Sequence, residues 1–147
     1  MNKNKKYTAY CGLYCLDCIP SNKELFESLN ELKILLEDIE FDKYAELKSK
    51  TNETFNDYSQ FLDVLEEMKK LECTAVCTEG GCKEDCKIRE CVKEKQYDGC
   101  WECDEFKDCE LLDYLKGIHS IEHNLKMIKE YGVENWADKR GKHYNWL

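Results

Sequence analysis

Residues 21–39, SNKELFESLNELKILLEDI, read as an amphipathic α-helix. Ser21 and Glu24 form a capping-box pair directly after Pro20, the single proline of the chain. Leu25, Leu29, Leu32, Leu36 and Ile39 then recur at spacings of four and three, which aligns them on one helical face. A shorter helix is expected over 41–48, and a third starting at Asn56 or Asp57 that buries Phe61, Leu65 and Met68. Downstream, residues 84–95 read as a short helix, and 105–116 as another carrying Leu111, Leu112 and Leu115. Ser120 is placed to cap a final helix with Ile121, Leu125 and Ile128 inward, and Gly132 to end it. The β-branched alternation of strands is scarce, although a short β-hairpin near a metal site would escape this reading. The expected fold is all-α, mainly helical, with Cys-rich metal-bound loops.

The 147 residues suit a single domain spanning 1–147. Within it, 1–20 and 72–110 form a Cys-rich lobe, and 21–71 with 111–147 a helical scaffold. A hydrophobic fraction of 42% beside 36% charged residues excludes a disordered chain. No segment approaches the roughly 18 apolar residues of a membrane span. The start, MNKNKKYTAY, is basic but leads into no apolar stretch of a secretion signal, so a cytoplasmic location is expected. The formal net charge of −9 argues against a nucleic-acid partner, because phosphate binding needs clustered Lys and Arg.

The informative residues are the 11 cysteines. Reduced thiols clustered in sequence point to metal, whereas an odd count without a secretion signal weakens a disulfide scaffold. CGLYCLDC (11–18) supplies Cys11, Cys15 and Cys18; CKIREC (86–91) supplies Cys86 and Cys91; CWECDEFKDC (100–109) supplies Cys100, Cys103 and Cys109. Cys15/Cys18 and Cys100/Cys103 are C-x-x-C pairs, a spacing that lets two thiolates converge on one ion from a tight turn, with Gly12 easing the neighbouring backbone. These eight thiols are the number that two four-cysteine zinc sites require. Cys77 is a ninth candidate, and Cys73 and Cys82 read as plain buried thiols. Lys83, Lys87, Arg89, Lys93 and Lys95 lie beside the ligands in sequence, where they could offset a net charge of about −4 on two such sites, or simply form a solvated helix face.

Rival chemistries fit less well. The C-x-x-x-C-x-x-C spacing also occurs in the cluster loop of radical S-adenosylmethionine enzymes, but this chain has neither the length nor the strands of their barrel. A ferredoxin-type run is absent, although another four-thiolate iron–sulfur cluster would need the same ligands. A redox C-x-x-C pair lacks its βαβ context. His119 and His123 lie four apart on a helix without a third ligand, His143 is isolated, and Trp101, Trp136, Tyr144 and Trp146 read as packing residues.

The order CGLYC-x-x-C, CKIREC, CWECDEF-x-x-C and then NLKMIKEYGVENW (124–136) resembles a prokaryotic family of small Cys-rich proteins taken to bind metal, called domain of unknown function 3795. The resemblance covers nearly the whole chain and implies that Cys11, Cys15, Cys18, Cys86, Cys91, Cys100, Cys103 and Cys109 are the family's cysteine positions. CTAVCTEGGC (73–82) departs from the family's usual C-x-x-C followed by Arg-Gly-Gly. The expected function is therefore that of a metal-binding protein, with two structural zinc ions and no catalytic residue, serving as an interaction or adaptor module for a protein partner. An iron–sulfur protein in electron transfer or redox sensing is the first alternative. A thiol-based enzyme using Cys73, Cys77 or Cys82 is the second.

Overall fold

The computed structural model describes residues 2–116 and 120–141. It is built almost wholly of helices: among the described residues the sole β feature is an isolated antiparallel bridge, Thr8 to Tyr14. That bridge is all that remains of the hairpin the sequence allowed. The chain divides into two compact units, one formed by Met1–Ser21 with Cys73–Leu147 and the other by Asn22–Glu72.

The second unit holds α2 (Lys23–Asp38), α3 (Phe41–Ser49) and α4 (Tyr58–Lys69); α1 (Lys3–Tyr7) precedes them in the first unit. Helix α2 starts one residue later than the capping box implies. Ile19–Ser21 forms a 3-10 turn that uses Ser21, and Asn22 becomes the cap, its side chain accepting the Leu25 N–H at 3.1 Å. Phe26, Leu29 and Leu65 form the small core, flanked by Leu25, Leu36, Leu62 and Met68. Leu32 and Ile39, expected inward, are 40% and 66% exposed, and Phe61 is 42% exposed. The apolar arc is wider than the neighbouring helices cover, and Phe26 takes the buried position instead.

In the first unit, Cys86, in extended conformation, caps α5 (Lys87–Glu94), so this helix begins three residues after the expected start at 84. The helix expected over 105–116 is two 3-10 segments, Phe106–Asp108 and Glu110–Leu115, because Cys109 between them is extended (φ −76°, ψ 114°). Leu112 and Leu115 still turn inward, while Leu111 stays exposed. Helix α6 (Ile121–Tyr131) has Ser120 at its N-cap and buries Ile121, Leu125 and Ile128. Gly132, at φ +77°, ends it and returns its N–H to the Ile128 carbonyl at 2.8 Å. A last short helix, α7 (Trp136–Lys139), buries Trp136 completely. No described helix is long and apolar enough to cross a membrane.

Candidate metal centre

None of the 11 cysteines is paired in a disulfide. The two C-x-x-C pairs adopt one conformation. Cys15–Asp17 and Cys100–Glu102 are single 3-10 turns, and in each the second cysteine's N–H reaches the first cysteine's carbonyl at 3.1 Å. The closing cysteines match as well, with φ −77°, ψ 124° at Cys18 and φ −84°, ψ 125° at Cys103. A third such turn, Cys77–Glu79, closes on Gly80. A Cys100 N–H to Tyr10 carbonyl bond of 2.8 Å ties the first cysteine loop to the second knuckle.

Cys91 from α5, Cys100 and Cys103 from the knuckle, and Cys109 from the extended link all line one cavity of about 30 Å³. Ile88, Val92, Phe106 and Leu112 add apolar wall, and Lys95, Tyr97 and Leu111 also line it. Organic ligands occupy pockets of roughly 300–1,000 Å³, whereas one water needs about 10–15 Å³, so this space is too small for an organic ligand and has room for about two waters or a single ion. Burial pushes the Cys100 thiol up to about 12, and the neighbouring Cys109, Cys91, Cys103 and Cys86 add to the rise. Lys95 places its ammonium 3.9 Å from the Cys103 sulfur.

Cys15, Cys18, Cys73, Cys77 and Cys82 form a second neighbourhood in the same unit, while Cys11 lies within reach of both groups and Cys86 within reach of Cys100. Cys15 lies within electrostatic reach of Cys77, Cys18 and Cys73, and burial pushes its thiol up to about 11. Cys18 feels Cys82 and Cys73, and burial raises it as well. Cys77 is buried and raised, with the Arg89 guanidinium opposing that rise. Cys11 is raised furthest, being buried beside Cys77, Cys100 and Cys82. Cys82, read from sequence as a buried thiol, is exposed, and its backbone sits at φ +66°; Cys73 is half-buried, its thiol donating to the Ala75 carbonyl at 2.9 Å. Of the five cations near the ligands in sequence, Arg89 and Lys95 are beside thiols, whereas Lys87 pairs with Glu90 at 3.0 Å.

Thiolates in two neighbourhoods match zinc or iron–sulfur in donor chemistry. Among the described residues, no three His, Cys, Asp or Glu side chains already stand gathered as a set that would hold an ion. The donors fit such an ion in type and neighbourhood.

Gly12 and Trp136 were read from the sequence as a backbone-easing and a packing residue, whereas their partners Asn124, Thr8, Asn4 and Arg140 were not visible there. Gly12 sits at φ +89° with its carbonyl accepting from the Asn124 amide at 3.0 Å; Asn124 is fully buried. Arg140 forms a two-pronged ion pair with Asp17, inside the first knuckle, and its guanidinium lies 5.0 Å from the Tyr14 ring and 5.2 Å from Trp136. Trp136 donates its indole N–H to Thr8 Oγ1 at 2.9 Å, Thr8 donates to the Asn4 carbonyl at 2.6 Å, and Tyr14 donates its hydroxyl to Asn4 Oδ1 at 2.9 Å. The available signal was the tryptophan itself, since a buried indole N–H needs an acceptor. His123 meets the Arg140 carbonyl at 2.9 Å; His119, His143, Tyr144 and Trp146 lie outside the described residues.

No curated protein and no solved structure matches the chain. The family model described as "Protein of unknown function (DUF3795)" matches residues 7–114, which include every cysteine and stop short of the α6–α7 segment that braces the first loop. With nearly three-quarters of its length matched, the chain belongs to the DUF3795 family.

Proposed function

We propose that the protein is a zinc-stabilised, non-enzymatic interaction module with two four-thiolate sites. The carrying observation is the ion-sized cavity lined by Cys91, Cys100, Cys103 and Cys109. The second site is assigned to Cys15, Cys18, Cys73 and Cys77, the group sharing the Cys15 neighbourhood. This assignment uses the ninth candidate Cys77, adds Cys73, and leaves the candidates Cys11 and Cys86, with Cys82, outside the two ligand sets. Zinc, when bound, supplies cross-links between segments far apart in sequence, a contribution of about 10–16 kcal/mol per structural site in small peptides. Whole domains are stable by only about 5–15 kcal/mol, so such an ion would decide whether the cysteine-bearing unit folds. Its residues hold the ion, exclude water and, through Lys95 and Arg89, partly offset the thiolate charge.

Burial raises the Cys77 thiol, which opposes the thiol-enzyme alternative at that residue; ligation also needs thiolates, and a bound ion would displace their protons. The test is elemental analysis of reduced, anaerobically prepared protein. Two zinc ions per chain are expected, falling to one in Cys103→Ser. Well under one zinc per chain would overturn the reading. A brown preparation containing iron and sulfide would replace it with the iron–sulfur alternative.

A further inference from the structure

The second unit has a core of its own, yet its surface combines two features that suit a partner. It carries seven lysines against fourteen Asp and Glu, a net −7 of the chain's −9. It also leaves large apolar side chains in water: Leu35 and Ile39 are 60% and 66% exposed, and Val64 and Leu71 57% and 61%. Between α2 and α4 runs an open cleft of about 550 Å³. Leu36, Leu62 and Leu65 supply its apolar lining. Glu37, Glu40, Asp42, Asp63 and Glu66 stand around it against one cation, Lys33. Lys33 is already paired with Glu66 and Glu37, and Asp42 and Asp63 have no ion-pair partner among the described residues. The exposed stripe Leu32 and Leu35 of α2 with Ile39 at its C-cap follows i, i+3, i+7, and Leu32 is the i,i+4 neighbour of Leu36, so the stripe continues the cleft lining.

We propose that this cleft is a docking site for a basic amphipathic helix, which lays its apolar face on the leucines and its lysines or arginines against the carboxylates. Charge selects this occupant. A second copy would bring another net −7 to the same surface, and like-charge juxtaposition opposes that pairing. A nucleic acid is repelled for the same reason, and a bare cation has no use for the leucine lining. This partner class deepens the interaction-module reading, yet the cleft lies wholly within Asn22–Glu72 and holds none of the thiols.

The experiment uses the full metal-loaded chain and a fluorescent Leu/Lys model peptide with leucines at i, i+3, i+4 and i+7, followed by anisotropy. Saturable one-to-one binding is expected, with helix induced in the peptide. The double reversal Glu37→Lys with Asp63→Lys, both on exposed residues, is expected to weaken binding about tenfold or more. Glu27→Lys with Glu31→Lys, at exposed α2 positions outside the cleft, is expected to change it little. No saturable binding overturns the proposal, as does equal weakening by both pairs, which would mean unspecific charge attraction. Equal binding of a Leu/Glu peptide, or self-association of the chain abolished by the cleft reversal, also overturns it. Because zinc content is measured separately, failure here leaves the metal reading standing, and failure there leaves the cleft.

Discussion

Substituting Gly12 by alanine tests how the first cysteine loop is held. The residue sits at φ +89°, a left-handed conformation that costs an L-residue with a Cβ about 1–2 kcal/mol. An added Cβ would also lie 2.8 Å from Leu125 Cδ2 and 3.1 Å from Leu125 Cγ. Leu125 is fully buried in α6, so it has little room to retreat, and overpacking of this kind costs about 1–3 kcal/mol. Together Gly12→Ala is expected to destabilise the first unit by about 2–5 kcal/mol. Gly132→Ala is the control without a clash: φ is +77° and ψ 148° there, a backbone state close to glycine's own, yet nothing lies within 4 Å of the added Cβ, so only a backbone cost of about 1–3 kcal/mol applies. The three tryptophans all lie in Cys73–Leu147, so tryptophan fluorescence during urea unfolding reports the first unit without the second. Equal destabilisation by the two substitutions would refute the packing of Gly12 against Leu125.

Arg140→Ala should destabilise the same unit by about 2–3 kcal/mol, less than the 3–5 of a fully buried pair, since the Asp17 side chain is 23% exposed. A double-mutant cycle with Asp17→Asn checks this in urea, and a coupling energy near zero would refute the clamp. Chelation should unfold the cysteine-bearing unit while the α2–α4 helices persist, because their core of Phe26, Leu29 and Leu65 contains no thiol. Far-ultraviolet circular dichroism with and without chelator measures it, the expected outcome being partial loss of helix together with complete loss of the native tryptophan signal.

Much of what depended on near neighbours along the chain was legible. The α2 periodicity, Ser120 before α6, Gly132 after it and the tight turn at each C-x-x-C all follow from hydrogen bonds and sterics spanning three or four residues. The cap shifted from Ser21 to Asn22 because the preceding 3-10 turn claimed Ser21. The helix read over 105–116 broke at Cys109, since apolar spacing does not distinguish a continuous α-helix from two 3-10 segments that bury the same leucines.

By itself, then, the sequence determined a helical chain of the DUF3795 family with thiols presented in tight turns. Only the tertiary structure decided that Phe26 is buried while Leu32 and Ile39 face water, and that Cys91 and Cys109 share one cavity with the second knuckle. It alone joined Asp17 to Arg140 and Thr8 to Trp136, partners 123 and 128 residues apart. The physical reason is range: backbone turns close over a few residues, whereas burial and pairing depend on which distant surfaces meet, and no local pattern encodes that.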